Sequence, residues 1–372
     1  MKKFLAFVMA ASMALSLAAC GGSSASSTAS TATEATSEAA ASTSGSKTDV
    51  AFVTDVGNID DQSFNQYTWQ GVQDFCSANS LNANYYRPTE DSDAARLEQM
   101  DNAVNDGAKS IVVAGYLFGS AIAEAQEKYP DVQFLALDVS TSDLGDKAPA
   151  ANTALITYKE EQAGYLAGYD GYKELGFLGG MAVPAVIRYG YGFVQGADAA
   201  AKEIGADDVN IKYWYSGGFA ATDEVKNKMD GWYSEGTEVV FACGGPVCQS
   251  CGAAAQANGG KMIGVDVDQS GQFDTVVTSA TKGLAESVNE ALTDAMNNGW
   301  KFSETYSGKE TKLGAAENCV GLPMSTSKFT KFTQEQYDAM YASIVDGSLA
   351  IDDSFDVDVH PAVTNVTVDY QS

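Results

Sequence analysis

The fold is decided by the stretch Val50-Ala51-Phe52-Val53-Thr54, which a helix-length amphipathic segment follows over residues 63–79. Its five residues are all apolar or β-branched, which is typical of a strand buried on both faces. The same order, a short apolar run and then a helix, returns along most of the 372-residue chain. Because strands that alternate with helices usually pair in parallel, the sequence predicts an α/β protein with parallel sheets flanked by helices.

The number of strand-like runs indicates two lobes rather than one. Further runs cover residues 110–114, 133–137, 153–157, 175–179, 209–215, 239–242 and 262–265. The chain is long enough for two cores. Three segments, near residues 152–158, 264–268 and 319–322, are predicted to cross from one sheet to the other. We therefore predict a first lobe of residues 48–152 and 269–318, and a second lobe of residues 153–268 and 319–372.

The amino-terminal residues carry a targeting signal. Lys2 and Lys3 precede an apolar run over residues 4–17, which is shorter than the roughly 20 apolar residues of a membrane span. The run ends in Leu17-Ala18-Ala19-Cys20-Gly21, which resembles a bacterial lipobox. We predict a signal peptide over residues 1–19, a lipidated Cys20 and a flexible Ser/Thr/Ala tether to residue 47, which would anchor the protein on the extracytoplasmic face of the cell membrane.

Charge and composition exclude several classes of function. The formal net charge of −27 repels phosphate groups, so we expect no nucleic-acid partner. The chain has one histidine, His360, and lacks a nucleophile elbow, a Walker loop and a zinc-helix pattern. An exported nucleoside hydrolase working through carboxylates stays an alternative, since Asp55, Asp61 and Asp266 could share a cleft. We nevertheless expect a binding protein and not an enzyme.

Several blocks resemble the basic membrane protein family of solute-binding lipoproteins. In chain order they are Val53-Thr54-Asp55-Val56-Gly57, Asp60-Asp61-Gln62-Ser63-Phe64-Asn65, and residues 128–132, 158–168, 176–181, 264–269 and 320–322. The resemblance implies a two-lobed periplasmic-binding fold of type I with the ligand in the interlobe cleft. It also implies a monomeric lipoprotein that delivers its ligand to the permease of an ABC importer. The characterised relatives are purine-nucleoside receptors, so the resemblance favours a purine nucleoside. A sugar or another small polar solute is the alternative.

The resemblance also assigns expected roles within the site. Asp55, at a strand end, would accept hydrogen bonds from purine N–H groups, and the ring of Phe64 would stack on the base, an interaction worth about 1–3 kcal/mol. Asn65 belongs to the same motif. Asp266 ends another buried strand and would accept hydrogen bonds from two ribose hydroxyls, and Lys282 would also reach the ribose.

These residues also have ordinary structural interpretations. An aspartate at a strand end, such as Asp55 or Asp266, often forms a turn or caps a helix. A phenylalanine near a helix start, such as Phe64, is more often part of the core than a stacking platform. The family motif, and not the single residue, is what favours the binding roles.

A glycine pair and the cysteines lie together in the second half of the chain. Gly244 and Gly245 match a family turn at the mouth of the second lobe, where glycine permits close backbone approach to a ligand. Directly afterwards the chain departs from the family. Besides Cys20, the cysteines are Cys76, Cys243, Cys248, Cys251 and Cys319. Cys243, Cys248 and Cys251 have the spacing of a plant-type iron–sulfur ligand run, with Cys319 as a possible fourth ligand. Because an exported binding protein has no evident use for such a cluster, we expect no metal and no cofactor. Disulfides and free thiols both stay open.

Overall fold

The computed structural model describes residues 47–55 and 57–372. The predicted signal peptide, Cys20 and all of the predicted tether except Lys47 lie outside the described residues. Within the described part of the chain, no helix is long and apolar enough to cross a membrane.

The first sheet has six strands, and all of its neighbouring pairs are parallel. In chain order they are β1 (Val50–Val53), β2 (Ala83–Tyr86), β3 (Ser110–Ala114), β4 (Gln133–Leu137), β5 (Thr153–Tyr158) and β11 (Lys309–Leu313). The order across the sheet is β11-β5-β4-β3-β1-β2. The helices packed on it are α1 (Phe64–Asn79), α2 (Asp93–Asn105), α3 (Gly119–Lys128) and α8 (Leu284–Asn297).

In the part of the chain that the structure describes, the second sheet has seven strands, of which only the short β12 is antiparallel to its neighbour. In chain order they are β6 (Glu174–Gly179), β7 (Val209–Tyr215), β8 (Val239–Cys243), β9 (Lys261–Asp266), β10 (Val276–Lys282), β12 (Val320–Gly321) and β13 (Val366–Gln371). The order across the sheet is β12-β10-β9-β8-β6-β7-β13. The helices of this lobe are α4 (Glu160–Gly168), α5 (Pro184–Ile204), α6 (Asp223–Ser234), α7 (Val247–Asn258) and α9 (Gln334–Val345).

The predicted fold class, two parallel sheets flanked by helices, is confirmed, but two predicted lobe boundaries are wrong. The strand β5 pairs with β4 and β11, so the chain leaves the first lobe after residue 158 and not after residue 152. The strand β10 pairs with β9, so the chain returns to the first lobe after residue 282 and not after residue 268. Both strands are buried along nearly their whole length, β5 as a mostly apolar run and β10 as a mixture of Val, Thr, Ser and Ala, and neither pattern shows to which sheet its strand belongs.

The helices α4 and α5 pack at unusually short range, and glycine makes this contact. A Cβ atom at Gly164 or Gly168 of α4 would lie 2.2 and 2.1 Å from backbone oxygens of α5. A Cβ atom at Gly192 or Gly196 of α5 would likewise lie 2.1 and 2.0 Å from backbone oxygens of α4. Since no side chain fits between the helices, their backbones touch. This crossing brings Glu160, the first residue of α4, against Arg188 in the second turn of α5.

Candidate functional site

The carboxyl ends of the strands in the two sheets carry a cluster of charged residues. In open α/β sheets, ligands bind in the crevice outside the carboxyl ends of the strands. Asp138 directly follows β4 of the first sheet, whereas Asp266 and Lys282 are the last residues of β9 and β10 in the second. Both aspartates have a positive φ, 54° at Asp138 and 66° at Asp266. Non-glycine residues rarely adopt this conformation, and such strain is often found at functional sites.

Lys282 is the centre of this cluster. Lys282 is only 5% exposed. Its Nζ donates a hydrogen bond to Oδ2 of Asp138 over 2.6 Å, which joins the second lobe to the first. The same Nζ lies 3.6 Å from Oε1 of Glu160 and 3.8 Å from Oδ1 of Asp266. Burial alone would lower the pKa of Lys282, but the neighbouring carboxylates outweigh burial and raise this pKa above its ordinary value.

The carboxyl groups around Lys282 are themselves poorly solvated. Burial raises the pKa of Asp138 to about 6, although the ammonium group of Lys282 opposes this effect. Burial also raises the pKa of Asp266, against the opposing effects of Lys282 and of a hydrogen bond from Ser63. These carboxyl groups are therefore held in a medium where each hydrogen bond from a ligand is worth more than in water.

Three aromatic rings line the same space. The Nζ of Lys282 lies 4.7 Å from the ring centroid of Phe64, 5.0 Å from that of Tyr158 and 5.9 Å from that of Tyr189. The two tyrosines are fully buried, whereas Phe64 is only partly buried. Phe64 thus keeps part of its ring available, and the structure brings it together with the predicted residue Lys282.

The loop after β1 holds the remaining predicted residues of the first lobe. Oδ1 of Asp55 accepts hydrogen bonds from the backbone N–H of Gly57 over 2.6 Å and from Nδ2 of Asn65 over 3.2 Å. Burial raises the pKa of Asp55 despite these two bonds. Asp61 accepts from the backbone N–H groups of Ser63, Asn65 and Gln66, and so it caps the start of α1.

The two lobes contact each other directly beside this cluster. The hydroxyl of Ser63 donates to Oδ2 of Asp266 over 2.5 Å, which links the loop before α1 to the end of β9. The backbone carbonyl of Gln62 accepts from the side-chain amides of Gln269 and Gln272 of the second lobe. The polar side chains of the cleft are therefore held by partners from both lobes.

The predicted glycine turn lies at this interface as well. Gly244 and Gly245, directly after β8, have φ values of 151° and 52°, a region that favours glycine. A Cβ atom at Gly245 would lie 3.9 Å from Cβ of Ser63 in the first lobe. A Cβ atom at Gly244 would meet the ring of Phe219 and the backbone of Gly180, both in the second lobe. The ring of Phe219 thus covers the ends of two strands of the second sheet.

The segment that departs from the family turn forms the start of α7. There the thiol of Cys248 lies 3.5 Å from Nε2 of Gln269, the residue that also reaches Gln62. The five cysteines of the described residues are all free and buried. In the same part of the chain, no group of three or more potential metal ligands comes together.

Several side chains of the site were not predicted from the sequence. They are Asp138, Glu160, Arg188 and Tyr189, together with Ser63, Tyr158 and Phe219. Asp138 obeys the same strand-end rule that selects Asp266, so this signal was present. Nε of Arg188 donates to Oε2 of Glu160 over 2.7 Å, and both side chains are buried. That pair depends on the close crossing of α4 and α5.

Several buried polar atoms of the site have no hydrogen-bond partner among the described residues. They are Oδ1 of Asn65, Oδ1 of Asp138, Oε1 of Glu160 and the hydroxyl of Tyr189. Leaving a buried polar atom unpaired costs about 1–3 kcal/mol, so such atoms rarely cluster in a protein core. Three of these atoms are oxygens that only accept hydrogen bonds. The arrangement is therefore suited to a ligand that presents several hydroxyl or N–H donors.

The chain is similar to a known protein family and to several of its members. The family model described as "ABC transporter substrate-binding protein PnrA-like" matches residues 48–354. The CD4+ T-cell-stimulating antigen of Listeria monocytogenes is 27% identical over 93% of this chain and 98% of that protein. The protein named ABC transporter nucleoside-binding protein BmpA of Lactococcus lactis is 30% identical over 62% of this chain and 68% of that protein.

Solved structures agree on the fold. A solute-binding protein of an ABC transporter system from Aeropyrum pernix K1 superposes with a TM-score of 0.70 at 20% identity, covering 84% of this chain and 95% of that one. Members of this family bind substrates for ABC transporters outside the cytoplasm and are not enzymes. The chain belongs to the Bmp family of PnrA-like substrate-binding proteins of ABC transporters.

Proposed function

We propose that the cleft between the two lobes binds a purine nucleoside, which the protein delivers to the permease of its ABC importer. The observation that carries this proposal is the pairing of two kinds of surface in one site. Phe64 offers a partly exposed ring, whose centroid lies 4.7 Å from Nζ of Lys282. The carboxylates around Lys282 offer hydrogen-bond acceptors beside it. A nucleoside has the matching halves, a flat base and a ribose with hydroxyl donors.

The base half is assigned to the loop after β1. Phe64 would stack on the purine, and Oδ2 of Asp55 would accept from its N–H groups. So would Oδ1 of Asn65, which has no hydrogen-bond partner among the described residues. Phe219, which lies at the facing edge of the second sheet, is placed to contact the base from the other lobe. Gly244 and Gly245 would let the backbone approach the ligand closely.

The ribose half is assigned to the charged cluster. Asp266 and Asp138 would accept from ribose hydroxyls in charge-assisted hydrogen bonds, and Lys282 would donate to a ribose oxygen while it holds the carboxylates in position. A sugar would satisfy this half but leave the aromatic half unused. The name of the Lactococcus lactis relative, a nucleoside-binding protein, supports the same choice.

Titration calorimetry with several classes of solute tests this proposal. We expect inosine, guanosine or adenosine to bind with a stoichiometry of one, without release of free base, and free ribose to bind far more weakly. We also expect X-ray scattering to give a monomer whose radius of gyration falls on saturation, because the lobes close over the ligand. Tight binding of a sugar together with no binding of any nucleoside would contradict the proposal, and base release would indicate a hydrolase.

We also propose that Cys20 carries acyl groups that anchor the protein to the membrane. The support is the junction Leu17-Ala18-Ala19-Cys20-Gly21 behind a charged and apolar leader. Cys20→Ala should therefore release the exported protein from the membrane fraction, and the mature wild-type chain should begin at a lipidated Cys20 by mass spectrometry. A Cys20→Ala protein that stays in the membrane fraction would contradict the lipid anchor.

A further inference from the structure

Glu160 is the most enclosed charged group of the site. It is the first residue of α4 and is 0% exposed. One of its oxygens, Oε2, accepts from Nε of Arg188. The other, Oε1, lies 3.6 Å from Nζ of Lys282 and has no hydrogen-bond partner among the described residues.

Arg188 holds the carboxylate of Glu160 in this position. The Arg188 guanidinium is buried beside Glu160, and the carboxylates near it raise its pKa although burial acts in the opposite direction. On its outer side the ring of Phe355 covers the guanidinium, with 5.6 Å between the guanidinium carbon and the ring centroid. The close crossing of α4 and α5 fixes the distance between the two side chains.

The formal positive and negative charges of this cluster do not cancel. The cations are Lys282 and Arg188, whereas the carboxylates are Asp138, Glu160 and Asp266, so the cluster has one negative charge in excess. Charges in a buried site are poorly screened, so this excess acts on any ligand enclosed with them. It favours neutral solutes that donate hydrogen bonds and repels solutes that carry an anionic group.

We propose that Glu160, held in place by Arg188, is the charge filter of the cleft, which admits neutral nucleosides and rejects their phosphorylated forms. This inference rests on the proposed nucleoside function. Glu160 acts as a specificity-determining residue because its carboxylate supplies the negative charge that tips the balance. Replacing it by glutamine keeps the shape of the side chain but removes that excess.

The first experiment uses the wild-type protein and changes only the ligand. Calorimetry at about pH 8 compares inosine, inosine 5′-monophosphate and 5′-O-acetylinosine, which adds bulk at the same position without charge. The phosphate carries about two negative charges under these conditions. We expect the monophosphate to bind at least about 100-fold more weakly than inosine and the acetyl ester to bind much closer to inosine. Equal rejection of both would mean that size, and not charge, excludes the phosphate, and would overturn the proposal.

The second experiment removes the charge. We expect Glu160→Gln to weaken inosine binding and to strengthen monophosphate binding, so that the ratio of the two dissociation constants falls by about tenfold or more. Glu161→Gln is the matched control, because Glu161 is the next residue of α4 and is also buried. Among the described residues, Lys282 pairs with Glu160 and not with Glu161. The control should leave the ratio unchanged.

The outcomes separate this inference from the proposed function. If the wild-type protein binds no nucleoside, the function is wrong and the filter falls with it. If it binds inosine but Glu160→Gln leaves the ratio at the wild-type value, the filter alone is wrong. Thermal unfolding of both variants shows whether they are folded. Even if Glu160→Gln does not fold, the wild-type ligand series still tests whether the cleft rejects the monophosphate because of its charge.

Discussion

Replacing Lys282 with methionine should abolish detectable inosine binding and lower the free energy of unfolding by about 3–5 kcal/mol. Methionine preserves the length of the side chain but removes the ammonium group. Three carboxylates, those of Asp138, Glu160 and Asp266, then face one another in a buried site without the cation that they share. Removing one partner of a buried ion pair is costly because it leaves uncompensated charge.

Lys312→Met is the matched control for this loss of a lysine. Lys312 pairs with Asp353 over 2.7 Å, but both side chains are partly exposed, at 35% and 61%. Exposed ion pairs are worth about 0–1 kcal/mol, so this variant should unfold close to the wild-type denaturant midpoint and bind inosine normally. Chemical denaturation measures both variants. A Lys282→Met protein as stable as Lys312→Met would contradict the central role of Lys282.

The stability lost in Lys282→Met should depend on pH in a defined direction. Burial already raises the pKa of Asp138 to about 6 while Lys282 opposes this shift. Without the ammonium group, Asp138 should take up a proton more readily in the folded state than in the unfolded state. A carboxyl pKa that is raised on folding stabilises the folded state below the unfolded value and loses that effect as the pH rises through the folded value. The variant should therefore recover stability relative to wild type as the pH falls towards about 6, and this recovery should be complete below that value, where Asp138 is protonated in both folded proteins.

The strands β1 and β3 to β9 follow closely from local sequence, whereas β2, β10, β11 and β13 were not predicted. The runs 110–114 and 133–137 have the same bounds in the structure as in the sequence-based prediction, because strands buried on both faces are mostly continuous apolar runs. The run 209–215 also has the same bounds, and its alternating burial is typical of a strand with one exposed face. The sheet to which a strand belongs does not follow in this way. Since β5 and β10 are buried along nearly their whole length in either arrangement, only pairing with β4 and with β9 decides their lobe.

The site shows the same division between local and non-local information. The strand-end rule and the family motif select Asp55 and Asp266, but an aspartate after a strand also occurs as a simple turn former. The contact that distinguishes Asp138 comes from Lys282, which lies 144 residues further along the chain. The sequence alone does not show that these two residues contact each other in space.

The pair of Glu160 and Arg188 left a weaker signal. Glycines at a spacing of four residues occur in both helices, at Gly164 and Gly168 in α4 and at Gly192 and Gly196 in α5. Such spacing predicts a close helix contact, but it does not show which helix is the partner. The charged pair became visible only when the crossing was known.

The second large effect concerns how the ligand is divided between base and ribose contacts. Phe64→Ala should weaken inosine and the free base hypoxanthine alike, by about tenfold or more, because both stack on the ring. Asp266→Asn should weaken inosine by at least about tenfold, since losing an anionic acceptor costs about 1.5–3 kcal/mol. It should affect hypoxanthine far less, because a free base presents no ribose. Asparagine is preferred to alanine here because Asp266 has a positive φ of 66°, which asparagine tolerates.

Ser63→Ala is the control for the contact between the lobes. Asp266 also accepts a hydrogen bond from Ser63 across the cleft, so part of any loss in Asp266→Asn reflects weaker closure. Ser63→Ala removes this bond but keeps the carboxylate of Asp266. It should shift the affinities for inosine and hypoxanthine by similar factors and leave their ratio unchanged.

The ratio of the dissociation constants for hypoxanthine and inosine, measured by calorimetry in wild type, Ser63→Ala and Asp266→Asn, is the most direct test of nucleoside capture in this cleft. The proposed site predicts a wild-type ratio that Ser63→Ala preserves and that Asp266→Asn lowers by about tenfold or more. An Asp266→Asn protein that binds inosine as tightly as wild type, with its ratio unchanged, would contradict the assignment of the cleft to a nucleoside.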